Sequence, residues 1–223
     1  MGSRLLASLL VAVAATTAAC GGTERAHTTS GDAPTTTAGR PVTDEQALQL
    51  ARTLEQNRAL GGSRFVARFA IDGHPVRALG RVDFRKGRGV VTVAAVDPQL
   101  SAPRRFYWTR RMVLEQTQPY GSDYARRAPD PEDDPVHAMI GFVHLLAADT
   151  IDNTANIRDQ GARYLRTDAL EGGRYDVFRY GRSGAITLWV SRDGRLRRAS
   201  TTRVGDGLTV TLLTHAPVRV QLP

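Results

Sequence analysis

Between Phe65 and Phe84 apolar and polar residues alternate at a period of two, with one tight turn, Asp72-Gly73, in the middle. Phe65, Ala67, Phe69 and Ile71 alternate with Val66, Arg68, Ala70 and Asp72; Val76, Ala78, Gly80, Val82 and Phe84 alternate with Arg77, Leu79, Arg81 and Asp83. Two half-buried strands joined by an Asp-Gly turn pair antiparallel, because a parallel pair needs a crossover of about a dozen residues. Pro75 falls at the start of the second strand, where its missing N–H is tolerated. The same pattern predicts a strand over 89–96, a hairpin within 104–116 about Arg110-Arg111, and strands over 162–167, 175–180, 185–191, 196–203 and 208–214. Gly172-Gly173, Arg182-Ser183-Gly184, Asp193-Gly194 and Asp206-Gly207 sit at the joints. No βαβ unit and no repeat is present, which excludes a doubly wound nucleotide-binding fold.

Two segments break the alternation. Thr43 caps a helix of about four turns: Gln46 completes a capping box, and Asp44 and Glu45 favour the positive end of the dipole. Ala47, Leu50, Ala51 and Leu54 follow at helical spacing, and Gly61-Gly62 ends the segment. Pro135 behind the cap Asp134 opens a second helix, Val136 to Ala148, with Met139, Ile140, Val143 and Leu146 on one stripe, widened by Phe142 and Leu145. Two apolar helical stripes beside an antiparallel meander need a concave sheet face to lie against, so the predicted class is α+β.

A single cysteine in 223 residues excludes an internal disulfide, a four-Cys zinc site and an iron–sulfur cluster held by this chain alone. The core must hold by packing. Of 30 basic residues only Lys86 is lysine, and the net charge is +8. A coding bias toward Arg accounts for the arginine count; the charge itself suits anionic phospholipid or glycolipid headgroups better than nucleic acid, which an exported chain seldom meets. It equally suits a plainly solvated outer sheet face, where arginines that alternate with inward hydrophobes must point.

The N-terminal stretch reads as an address. Arg4 supplies a positive start, Leu5 to Ala15 an apolar run of about 11 residues that is too short to span a bilayer, and Thr17-Ala18-Ala19 small residues before Cys20. Residues 1–19 are expected to be a signal peptide with Cys20 as mature N-terminus, 20–41 a disordered Thr-rich tether spanning roughly 25 Å, and 42–223 the folded domain. The competing possibility is a secretory peptide cleaved after an Ala, leaving Cys20 a free thiol.

Residues for chemistry are sparse. No G-x-S-x-G elbow occurs, and the histidines His74, His137, His144 and His215 are scattered. His137 and His144 lie two turns apart, about 10.5 Å of rise, too far to share a metal ion; they are expected on the polar side of a half-exposed helix. Asp130, Glu132, Asp133 and Asp134 lack the spacing of a calcium loop and fit solvation of a helix N-terminus. No catalytic residue, metal or cofactor is predicted. What remains is an apolar lining for an open cavity: Phe65, Phe69, Ile71, Val82, Phe84, Phe106, Trp108, Ile140, Phe142, Val143, Leu146 and Leu188, each of which also suits plain core.

With Cys20, the Thr-rich tether and the opening helix, the chain resembles LolA-like lipoproteins, and within them the LppX/LprG-type envelope lipoproteins of actinobacteria. Further likeness lies in the helix start at residues 135–141, in Gly161-Ala-Arg-Tyr164 before Gly172-Gly173-Arg174-Tyr175, and in Leu188-Trp189-Val190-Ser191-Arg192-Asp193-Gly194-Arg195-Leu196. Cys20 stands where the family's lipobox cysteine is acylated, although Thr17 replaces the customary Leu. The resemblance implies a curved antiparallel half-barrel with helices covering its concave face. It also implies an acyl chain of a lipid or glycolipid held between them, and a non-catalytic, membrane-anchored extracytoplasmic monomer. An anchored protein-binding or sensor module on the same scaffold, with an envelope protein as partner, is the alternative.

Overall fold

The computed structural model describes residues 39–181 and 185–223. Residues 1–19, expected as a signal peptide, Cys20, the expected tether up to residue 38 and Arg182-Ser183-Gly184, expected at a strand joint, lie outside the described residues. In chain order the elements are β1 (Arg40–Pro41), α1 (Asp44–Leu60), β2 (Gly62–Ile71), β3 (His74–Asp83), β4 (Arg88–Ala95), β5 (Arg104–Thr109), β6 (Val113–Gln116) and β7 (Tyr124–Arg127). Then follow α2 (Pro135–Leu145), α3 (Thr154–Asp159), β8 (Arg163–Leu170), β9 (Gly173–Tyr180), β10 (Ile186–Ser191), β11 (Leu196–Thr201) and β12 (Leu208–Leu212).

Among the described residues the twelve strands form one sheet, ordered β1-β8-β9-β10-β11-β12-β2-β3-β4-β5-β6-β7. Every neighbouring pair is antiparallel. The chain enters the middle of the sheet at β2 and walks outward to β7. It then passes through α2 and α3 to the opposite side and walks back from β8 to the middle at β12. There β12 joins β2, from Thr209 opposite Arg68 to Leu212 opposite Phe65. The edges β1 and β7 do not pair with each other, so this is an open antiparallel half-barrel with helices on its inner face.

Local chemistry accounts for the elements. The Thr43 hydroxyl accepts the Gln46 N–H at 3.3 Å while the Gln46 side chain accepts the Thr43 N–H at 3.1 Å, and Gly61 stops α1 at φ +98°. Asp134 caps α2 by accepting from the Val136 and His137 amides at 2.7 and 3.1 Å. Asp72 and Gly73, at φ +51° and +76°, form the turn between β2 and β3 that an Asp-Gly pair favours.

Cross-strand register sets the inner face. One row runs Leu212, Phe65, Gly80, Val91, Phe106, and the next runs Val210, Ala67, Ala78, Val93. Glycine stands in the sheet where a neighbouring aromatic ring lies flat across the backbone. A Cβ on Gly80 would sit 2.4 Å from the Phe65 ring, and one on Gly89 would sit 2.1 Å from the Trp108 indole. Those rings meet edge to face at a centroid separation of 6.3 Å and form the centre of the core under α2.

Four departures from the expected elements have physical causes. The second helix stops at Leu145, three residues early, because the Ala148 amide turns away to the Leu54 carbonyl of α1 at 3.0 Å. Strand β7 lies in a stretch with Pro119, Pro129 and Pro131 where no strand is predicted, and exists through its pairing with β6. Helix α3 is six residues long, too short to show a period. Arg40 and Pro41, at the end of the Thr-rich segment, form β1 against Tyr164 and Arg163, with the Arg40 guanidinium over the Tyr164 ring.

These contacts predict opposite outcomes for two glycines. Gly89→Ala drives a methyl into the Trp108 ring and is expected to lose about 2 kcal/mol or more of stability in urea unfolding. Gly141→Ala, in α2 with nothing within 4 Å of the new carbon, is expected to gain roughly 0.5–1 kcal/mol.

Candidate ligand-binding site

Both helical passages cross the concave face, and they meet. Asn57 of α1 donates through Nδ2 to the Leu146 carbonyl at 2.7 Å, and Arg58 forms an ion pair with Asp149. Beside this junction is an apolar pocket of about 190 Å³. It is lined by Leu50, Ala51 and Leu54 of α1, by Ala148, Thr150, Ile151 and Asp152 of the segment after α2, by Ile157 of α3, Tyr180 of β9 and Leu188 of β10.

Its wall after α2 is tied both to α1 and to β9. The Asp152 amide donates to the Ala51 carbonyl at 3.1 Å, and the Tyr180 hydroxyl donates to Asp152 Oδ2 at 2.8 Å. Burial, together with the Asp152 carboxylate, pushes the Tyr180 phenol well above its ordinary range, so it stays a protonated donor. Ile151 lies at the rim, 53% exposed.

The twelve apolar residues expected to line a cavity are brought together, in a filled interior. Phe65, Phe69, Val82, Phe84, Phe106, Trp108, Ile140, Phe142, Val143, Leu146 and Leu188 are buried in one continuous cluster, and Ile71 packs partly buried against it. Leu188 is the member that reaches the pocket. Of the other lining residues, Leu50, Ala51 and Leu54 were legible as a helical stripe. Ile151, Asp152 and Ile157 carried no periodic signal, and Tyr180 was visible only as a strand end.

A second, larger cleft of about 1020 Å³ runs between the outer side of α1 and β8, β9 and the β10–β11 turn. Its walls are mixed in charge, with Arg40, Arg52, Arg174 and Arg192 facing Glu45, Glu55, Asp176 and Asp193. Tyr164, Thr167 and Asp176 form a hydrogen-bonded chain there, with Tyr164 Oη 2.8 Å from the Thr167 hydroxyl, which donates to Asp176 at 2.9 Å. The uncovered part of the concave face is therefore polar.

His137 and His144 face inward, contrary to the expected polar side. Helix α2 is covered on nearly all sides, with Val136, His137, Met139, Ile140, Phe142 and Val143 buried, so little polar face is left. His137 Nδ1 accepts the Asp130 amide at 3.1 Å, and His144 stands edge-on to Trp108. Burial, and secondarily Arg110, lowers the His144 pKa; the Thr109 backbone opposes this weakly. Among the described residues no three His, Cys, Asp or Glu side chains are grouped to hold a metal ion.

No protein-family model matches the chain, and no curated protein matches it. Solved structures do. A LolA superfamily protein from Nitrosomonas europaea, NE2245, is 12% identical over 81% of this chain and 96% of its own, with a TM-score of 0.28. MucB, solved in complex with MucA(peri), is 14% identical over 79% of this chain and 59% of its own, with a TM-score of 0.37. Both superpositions are loose; the half-barrel is established by the register of its own strands.

Burial lowers the pKa of both His144 and His215 in the folded chain. Below the ordinary value of about 6.5 the unfolded chain binds protons that the folded chain refuses. Stability is therefore expected to hold above about pH 6.5 and to fall as the pH drops through that value. Urea unfolding across this range should show a shallower fall for His144→Gln than for the parent chain.

Proposed function

We propose that this chain is a non-catalytic binding protein of the cell envelope, anchored outside the cytoplasm through an acylated Cys20. On this reading it shields an apolar group, the acyl chain of a lipid or glycolipid, between α1 and strands β9 and β10. The observation that supports this is the apolar pocket of about 190 Å³ at the junction of the two helical passages, with one polar pair, Tyr180–Asp152, at its edge. Such a site needs no hydrogen-bond code, since each CH₂ withdrawn from water contributes about 0.8 kcal/mol.

The volume sets the mechanism. It lies below the roughly 300 Å³ at which small-molecule pockets begin, so it holds the end of a chain, and deeper entry requires the segment 146–153 to swing from α1. The Ala148–Leu54, Asp152–Ala51, Asn57–Leu146 and Tyr180–Asp152 hydrogen bonds and the Arg58–Asp149 ion pair oppose that motion. The packed interior favours a second reading, an anchored module on the same scaffold that binds an envelope protein and carries no lipid.

Solvent extraction of the chain purified from its native membrane, followed by mass spectrometry, separates the two. An acyl lipid in near-stoichiometric amount, reduced at least about tenfold by the pocket-filling Ala51→Phe, is expected. A parent chain free of lipid overturns the carrier reading and leaves the protein-binding module.

A further inference from the structure

The outer face of the sheet carries a second pattern. Across β2 to β6, one outward row runs Arg64, Arg81, Val90, Tyr107, Leu114, and ends at Arg126 of β7. The next runs Val66, Leu79, Thr92, Arg105, and a third runs Arg68, Arg77, Ala94. These rows hold six arginines and no carboxylate. Arg64 stands directly opposite Arg81, and Arg68 directly opposite Arg77. Like charges in that relation destabilise a sheet. Among the described residues no carboxylate forms an ion pair with any of these four, although nine other arginines are so paired. A coding bias toward arginine sets how many there are; it does not set a register that gathers unpaired ones on one face.

The two arginine pairs lie about 13 Å apart along the strands. Between them Leu79 projects 50% exposed, and Leu213 is exposed beside them. Arg64, Arg81, Arg105, Leu79, Tyr107 and Leu213 border a shallow groove of about 310 Å³.

We propose that this convex face docks on an anionic phospholipid bilayer, with guanidinium groups on lipid phosphates and Leu79 among the headgroups. A planar guanidinium meets phosphate through two parallel bonds, and the array extends in two dimensions, as a headgroup layer does. Strands β2 to β5 are paired on both edges, so a peptide finds no free backbone here to extend the sheet. Exposed leucine among the arginines matches a membrane interface, where apolar tips are accommodated; a nucleic-acid backbone offers them nothing.

The test is cosedimentation of the full chain carrying Cys20→Ser, which removes any acyl anchor, with phosphatidylcholine vesicles with and without phosphatidylglycerol. Binding to the anionic vesicles, reversed by high salt, is expected. It should weaken at least about tenfold when Arg64, Arg68, Arg77 and Arg81 are all changed to Ser, and stay within about threefold when they are changed to Lys. Serine at Arg52, Arg111, Arg192 and Arg219 removes the same charge elsewhere and should leave binding unchanged. Equal loss in that control, no preference for phosphatidylglycerol, or binding to polyglutamate or DNA without binding to anionic vesicles each overturns the proposal. Because the serine variant removes two repulsive pairs, it should unfold at no lower urea concentration than the parent, which separates lost binding from lost folding.

Discussion

The pairing of β12 with β2 is the constraint on which the rest of the molecule depends. Each meander alone has an unpaired inner edge and half a concave face; their seam, from Thr209–Arg68 to Leu212–Phe65, makes one sheet with one core. It joins residues far apart in sequence, so a large loop must close before the bonds form. The route follows from it: a chain that reaches the middle of the sheet twice, from opposite sides, must cross the concave face twice. Those passages are α1 and the α2–α3 segment, and they meet at the Asn57–Leu146 bond.

The concave face is divided by what covers it. Under the helices it is apolar and filled, because Phe65 and Trp108 lie across Gly80 and Gly89 and α2 presses Met139 and Val143 into the remaining space. Beyond α1, over β8 and β9, it is polar and hydrogen-bonded, as expected where water reaches the strands. Between these zones lies the small pocket. The segment after α2 forms its outer wall, tied to α1 by the contacts of Leu146, Ala148, Asp149 and Asp152 around a half-exposed Ile151.

Much of this was legible from residue order. The Asp72-Gly73 turn, the Thr43–Gln46 capping box, the Asp134-Pro135 helix start and the in–out alternation of β2 and β3 rest on contacts between near neighbours, and each is found. Elements sustained by distant partners were not legible: β7 exists through β6, β1 through β8, and α2 ends where Leu54 takes the Ala148 amide. The histidines were misplaced for the same reason, since one helix stripe does not reveal that a helix is covered on its other sides as well.

The sequence by itself determined which residues of the central strands β2 and β3 face inward and which outward, where their turn lies and where α1 and α2 begin, because pleat, capping and turn geometry act within a few residues. The tertiary structure alone decided that Phe65, Phe106 and Trp108 fill the interior, that Leu188 borders open space, and that unpaired arginines gather on one outer face. Whether a void remains depends on the summed volumes of side chains from distant segments. Whether a charge is paired depends on the register that places strangers side by side.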